Sequence, residues 1–217
     1  GEILLDKLLV WMGHIRKEDV FFESPDIVSE IETSGKGGII VVSHQGNFEV
    51  CSALANQLPH LRLTILVYTQ HAEKFMFSER INTGGYIVIA GDRTPVSGKR
   101  WVSRVNFLRR QSAMPQGAFI LGNLLKCPMF LMFCLKQNGR YHIYLEKFSD
   151  RLTFANRKDR SKNLNRVVQQ YAERLEHYCL LAPLQWFNFF PYWENTNEES
   201  AAQLMAGDSE SDVSPGK

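Results

Sequence analysis

His44 and Glu49 stand five residues apart in S-H-Q-G-N-F-E, Ser43 to Glu49, directly after the apolar run G-G-I-I-V-V. A carboxylate bonded to one imidazole nitrogen fixes the tautomer and stabilises the imidazolium, leaving the other nitrogen to take a proton. On one continuous helix five positions rotate a side chain by about 500°, or about 140° net, so the two residues would face apart. A strand ending at Val42, a tight turn at Gly46 and a helix capped by Asn47 would instead double the chain back and bring Glu49 towards His44. The pair has no nucleophile of its own: no cysteine adjoins His44, and Ser43 on an extended backbone points the other way. Its natural task is to deprotonate a substrate hydroxyl. The same spacing also suits two residues that merely cap a strand-to-helix turn, and H-x-x-x-x-E alone does not decide between these readings.

Two further stretches could contribute. A-G-D-R-T-P, Ala90 to Pro95, follows a strand directly and exposes Asp92 and Arg93 where it ends. In open α/β sheets the carboxyl ends of strands are where ligands bind, although a solvated turn with a local ion pair reads equally well. P-Q-G-A-F, Pro115 to Phe119, opens a helix whose first amides could hold an anion or an oxyanion. An ordinary helix start explains it nearly as well.

The elements that must position these residues alternate. Leu4, Leu5, Leu8, Leu9 and Met12 form an amphipathic helical pattern over 2–12 that suits packing or a membrane surface. Ser24-Pro25 opens a helix ending near Gly35, and Ile39–Val42 is a strand. Residues 47–58 read as helix, 62–69 and 86–90 as strands, 116–125 as helix, 129–135 and 141–145 as strands, and 162–179 as a polar-faced helix. Apolar strands alternating with helices predict an α/β fold: one domain with a mostly parallel central sheet flanked by helices.

Length and composition agree, since 217 residues with 44% hydrophobic and 22% charged content suffice for one domain with a substantial core. No apolar run reaches the roughly 20 residues that span a bilayer, and no secretory signal pattern appears. Because the chain starts at Gly1 rather than Met, a trimmed N-terminal anchor stays open. Cys51, Cys127, Cys134 and Cys179 show no C-x-x-C pairing and read as buried thiols of a reducing compartment, not as a metal site or disulfide framework. Six acids against Lys217 give residues 194–217 a charge of −5, which leaves +7 on residues 1–193 of the +2 chain. The acidic stretch reads as a disordered tail. The basic body suits anionic partners such as a membrane surface or an acidic carrier protein.

Taken in order, S-H-Q-G-N-F-E-V, I-A-G-D-R-T-P-V, M-P-Q-G-A-F-I-L, L-L-K-C-P-M-F-L-M-F, R-Y-H-I-Y-L-E-K-F and A-P-L-Q-W-F-N-F-F-P-Y-W resemble the bacterial lysophospholipid-acyltransferase-like superfamily. Within it they are most similar to the late acyltransferases of lipid A biosynthesis and their branch linked to glycolipid or aryl-polyene pigment synthesis. The resemblance runs from about His14 to Trp193 and rests on six motifs together. It implies a glycerolipid-acyltransferase-like fold over residues 1–193. It also implies transfer of an acyl group from a thioester, on acyl carrier protein or coenzyme A, to a hydroxyl of a lipid or glycolipid. On this likeness His44 is the general base and Glu49 the acid that orients it, while Asn47, Asp92, Arg93, Gln116, Gly117 and Glu146 contribute to the substrate site. Pro128 falls at a proline of the pocket wall. Glycerolipid relatives carry Glu-Gly-Thr-Arg in the third block, where this chain has Gln116-Gly117-Ala118-Phe119, so phosphate recognition there is in doubt. The family carries an additional segment where Met76 meets Phe77 here. No cofactor and no metal is implied, and the expected place is the cytoplasmic face of the bacterial inner membrane.

Trp186 to Trp193 holds six aromatics in eight positions, as a lid on the core or as an interfacial belt. Lys99, Arg100, Arg104, Arg109 and Arg110 form a basic cluster, a solvated face or a docking surface for an acidic carrier. No nucleic-acid recognition motif accompanies it. Two rivals stay open beside acyl transfer. One is a thioesterase or hydrolase using the same dyad on water, and the other is a non-catalytic lipid- or carrier-binding module.

Overall fold

A computed structural model describes residues 20–47, 50, 62–66, 74–93, 101–154, 159–188 and 192–193. The expected helices over 2–12 and 47–58 and the acidic tail lie outside these residues, apart from Asn47 and Val50. In chain order the described elements are β1 (Val20–Phe22), α1 (Pro25–Thr33), β2 (Gly38–Gly46), β3 (Leu63–Leu66), α2 (Lys74–Asn82) and β4 (Tyr86–Ala90). They continue with β5 (Val102–Phe107), β6 (Arg110–Pro115), α3 (Gly117–Leu125), β7 (Met129–Gln137), β8 (Arg140–Ser149) and α4 (Arg160–Leu181). A 3-10 turn at Pro183–Gln185 follows.

Six strands form one sheet in the order β1-β8-β7-β2-β4-β3. The sheet is mixed but mostly parallel: β7, β2, β4 and β3 run together, and only β8 pairs antiparallel, with β7. The continuous apolar runs of β2 and β4 follow from burial on both faces. On one face Ile39, Val41, Ile87 and Ile89 pack with Phe119, Leu121, Val168, Tyr171 and Leu175 of α3 and α4. On the other, Ile40, Val42 and Val88 pack with Ile31 of α1. Residues i and i+2 of a strand share a face, which is why neighbours in the run divide between the two layers. No helix among the described residues is long and apolar enough to cross a membrane.

Three features depart from expectation. The strand expected to stop at Val42 continues to Gly46, so His44 lies on strand backbone rather than in the turn. The basic cluster stands on an unexpected two-stranded hairpin, β5–β6, which carries exposed Arg104, Arg109 and Arg110, while Lys99 and Arg100 lie outside the described residues. Leu108 and Arg109 turn this hairpin at φ 50° and 61°. It is fastened to α4 where the Asn106 amide N–H donates to Gln169 Oε1 (2.8 Å) and the Leu108 N–H to Glu176 Oε2 (2.6 Å). Finally, α2 runs through the Met76–Phe77 junction without a break.

Candidate active site

The sheet register assembles the centre of the site. β2 and β4 pair in parallel through Gly38↔Tyr86 to Val42↔Ala90. Two residues beyond the last pair stand His44 on one strand and Asp92 on the other. Both leave the carboxyl edge side by side, where open sheets of this kind place their ligands. The Asp92 carboxylate grips His44 at two points: Oδ2 accepts from the His44 backbone N–H at 2.8 Å, and Oδ1 lies 2.8 Å from His44 Nδ1. Asp92 is 1% exposed whereas the His44 side chain is 38% exposed. With Nδ1–H donated to the carboxylate, Nε2 is the basic nitrogen, on a ring that solvent can reach.

A local irregularity presents the histidine. Between Val42↔Met132 and Gly46↔Cys134, four residues of β2 advance against two of β7. Extra residues in one strand re-aim side chains, as bulges beside active sites commonly do. Gly46 closes the irregularity at φ +76°, and a Cβ there would stand 1.7 Å from the Cys134 carbonyl oxygen. No other residue type fits without moving β7. Gly91 has a matching role before Asp92, because a Cβ would stand 2.7 Å from Val41 Cγ1 and 2.9 Å from Tyr171 Cζ. That room lets the Tyr171 hydroxyl donate to Val42 O at 3.2 Å. Burial holds the Tyr171 phenol well above its ordinary pKa, so it stays neutral as a donor.

Gln45, 1% exposed, anchors the strand from behind. Its Nε2 donates to the carbonyls of Tyr178 (3.0 Å) and Ala182 (2.9 Å) at the end of α4, which also accept from the backbone N–H groups of Ala182 and Gln185. Its Oε1 accepts from Cys179 Sγ at 3.3 Å. Burial pushes the Cys179 thiol up to about 12 and the Cys127 thiol up to about 11, so neither is a nucleophile near neutral pH.

The aromatic stretch after α4 crosses this edge as a strap. Gln185 exchanges hydrogen bonds with Lys136 at the end of β7, Trp186 bridges Gln45, and the Phe187 N–H donates to His44 O at 3.1 Å. The Phe187 carbonyl in turn accepts from the Arg93 guanidinium, and the Tyr192 hydroxyl donates to Asp92 O at 3.1 Å. Trp186, Tyr192 and Trp193 pack around Phe107 of the hairpin. The strap is therefore both a cover for the core and a wall of the site, a role that aromatic content alone did not reveal.

The remaining expected site residues divide. Asn47 Oδ1 accepts from Val50 N at 3.4 Å, while the rest of the helix expected after it lies outside the described residues. Arg93 adjoins Asp92 and holds the strap. Gln116 turns away into the hairpin, donating from Nε2 to Val102 O (3.0 Å) and Ser103 Oγ (2.9 Å), and Gly117 begins α3 beside it. Glu146 sits on β8, where Arg174 clasps both its oxygens (2.8 and 2.6 Å) and the Tyr178 hydroxyl donates at 2.6 Å. Those bonds tie β8 to α4 and do not run to His44. Glu49 lies outside the described residues. The bond expected of an orienting acid is made by Asp92, a residue expected among the substrate contacts.

Compared with known proteins, the chain matches no family model, and no curated protein matches it significantly.

Proposed function

We propose that the chain is an acyltransferase that moves an acyl group from a thioester, carried by acyl carrier protein or coenzyme A, to a hydroxyl of a lipid or glycolipid. The observation that carries this reading is the two-point grip of Asp92 on His44, which leaves Nε2 basic and reachable at the carboxyl edge of a parallel sheet. An acceptor hydroxyl at Nε2 gives up its proton as its oxygen attacks the thioester carbonyl. The imidazolium so formed is stabilised by Asp92, as a paired carboxylate does in general base catalysis. As the tetrahedral intermediate collapses, the C–S bond breaks and the thiolate takes the same proton from Nε2. The charge on Arg93 and backbone amides at the edge supply stabilisation for the oxyanion. No covalent acyl-enzyme is required, in keeping with buried thiols at Cys127, Cys134 and Cys179 and a Ser43 hydroxyl that accepts from Gln45 N at 3.2 Å.

A membrane surface is the proposed setting. Leu180, Leu181 and Leu184 are exposed at the end of α4, Leu184 to 92%, where the strap begins. Arg140, at the tip of the β7–β8 hairpin four residues beyond the Gln185-bonded Lys136, adds positive charge on the same edge. Apolar side chains rimmed by cations suit the interface of an anionic bilayer.

The reading is tested by mass spectrometry of lipids from cells carrying the protein or its His44→Ala variant. An acylated species that disappears with His44 identifies acceptor and chain length together. Substantial transfer by a folded His44→Ala protein would sink the assignment. Loss of acyl-thioester with no acylated product would mark a hydrolase instead.

A further inference from the structure

Asp92 stands past the end of the ladder that carries it. The β2–β4 pairing stops at Val42↔Ala90, and one more backbone bond follows, from the Gly91 N–H to Val42 O at 2.9 Å. Gly91 has no side chain to restrict its own dihedrals, so the ladder alone does not fix the Asp92 peptide. Among the described residues the bond to that peptide comes from the strap: the Tyr192 hydroxyl donates to Asp92 O at 3.1 Å. The Tyr192 ring is wedged among Trp186, Trp193 and Phe107, at centroid distances of 5.0, 5.3 and 6.0 Å. Burial holds its phenol above the ordinary value, so it stays protonated, and a donor, wherever a histidine base works.

We infer that Tyr192 is a positioning residue for the His44–Asp92 dyad: by holding the Asp92 carbonyl from the strap, it keeps the Asp92 carboxylate aligned on His44. The inference rests on the dyad being the catalytic base proposed above, and it names the strap residue on which that base depends. Tyr192 bonds the Asp92 main chain and acts only through it. The carboxylate has two contacts to lose, with the His44 backbone N–H and with Nδ1, both at 2.8 Å. Such contacts weaken steeply once distance or angle departs from the optimum. An aspartate side chain is short, so a shift of its backbone passes directly to both oxygens. The histidine is held separately, since its carbonyl accepts from the Phe187 N–H and Gln45 beside it is anchored to α4. Asp92 is therefore the member of the pair whose alignment follows Tyr192.

A tyrosine with a merely structural role would show itself in stability alone, and Tyr86 supplies the comparison. It is buried at the opposite end of β4, and its hydroxyl donates to a backbone carbonyl, Lys36 O, at 2.9 Å. The test uses the full chain with isotope-labelled histidine, the His44 nuclear magnetic resonance signals being those absent from His44→Ala. Wild type is expected to carry its imidazole proton on Nδ1, slow to exchange with water. Tyr192→Phe, which keeps the ring packing, is expected to speed that exchange about tenfold, the scale of one hydrogen bond, and to mix the two tautomers. Tyr86→Phe should leave both as in wild type, although the urea midpoints of the two variants fall by similar amounts. With palmitoyl-CoA as donor and octyl glucoside as acceptor, Tyr192→Phe should lower kcat with KM little changed, and Tyr86→Phe should keep the wild-type kcat. A His44 exchange rate untouched by Tyr192→Phe, or changed equally by Tyr86→Phe, overturns the inference and leaves acyl transfer standing. No His44-dependent transfer in wild type overturns acyl transfer instead, and the exchange rates then decide the positioning role by themselves. A wild-type His44 protonated on Nε2 overturns both.

Discussion

At the residue scale the site turns on which carboxylate holds His44. Sequence spacing singled out His44, Asp92 and Glu49, but it paired the histidine with the nearer acid in the chain. The pairing observed spans 48 residues and follows from the parallel register Val42↔Ala90, which no local pattern encodes. A measurable ordering follows. Asp92→Asn would place an amide N–H opposite Nδ1 and favour the tautomer with its proton on Nε2, which cannot act as a base. The expected loss in kcat is about 10²–10⁴-fold, the usual contribution of a general base, with a largely unchanged melting profile. Glu49→Gln should cost less. Steady-state kinetics on the two variants decide, and the reverse order would return the orienting role to Glu49. Gly46 is the other residue on which the site depends. Gly46→Ala must adopt positive φ, costing about 1–2 kcal/mol, and must also displace β7 to relieve the contact with Cys134 O. Its midpoint of urea unfolding should fall by more than positive φ alone would explain, whereas a fall no larger than that would mean that β7 yields freely.

At the element scale, α4 supports the catalytic strand through Gln45. Gln45→Leu fills similar volume but removes one of the two hydrogen bonds at each of the Tyr178 and Ala182 carbonyls and the partner of the Cys179 thiol, and a loss of about 1–2 kcal/mol in unfolding free energy is expected from chemical denaturation. A loss under about 0.5 kcal/mol would mean that water replaces the amide without penalty. The β8–α4 clasp carries a pH signature. Burial alone would raise the Glu146 carboxyl, but the Arg174 guanidinium and the Tyr178 hydroxyl outweigh it and hold it below its ordinary value. A folded-state pKa below the unfolded one contributes stability that is full above the unfolded value and is lost as pH falls through the folded value. Acid unfolding of wild type should therefore steepen through the carboxylate range, and Glu146→Gln should flatten that limb; an unchanged acid limb would remove the clasp from the stability of the fold. Elements were legible where hydrophobic runs were long, as in β2, β4, β7 and α4. The hairpin was missed although V-S-R-V-N-F alternates between inward and outward positions. Its arginines also fit a solvated charge cluster, and its turn uses Leu108 and Arg109 at positive φ where glycine or asparagine would mark a hairpin.

At the scale of the whole molecule, Asn138-Gly139 (φ 50° and 79°) between two apolar runs is a hairpin signal that marks the antiparallel return of β8 beside β7, a legible exception that the mostly parallel reading did not use. The closing of the site by the strap was illegible, since the aromatics of residues 186–193 fit a lid and an interfacial belt alike. Among the described residues, Trp186, Tyr192 and Trp193 stand against Phe107 as a wall, and the leucines just before Trp186 stay outside. Each leucine that enters an apolar phase is worth about 1.5–3 kcal/mol, enough for three to hold a protein weakly at a lipid surface when assisted by charge. Co-sedimentation with phosphatidylcholine vesicles, with and without phosphatidylglycerol, separates the two contributions. Binding to the anionic vesicles should exceed binding to neutral ones and should weaken as salt shortens the screening length from about 10 Å at 0.1 M to about 3 Å at 1 M. Leu184→Asp should reduce binding at every salt concentration, because it removes an apolar contact and sets a like charge against the lipid. Arg140→Gln should act mainly at low salt. Equal binding by wild type and Leu184→Asp would free this edge from any role at the bilayer, and the acceptor would then have to reach His44 from solution or on a carrier.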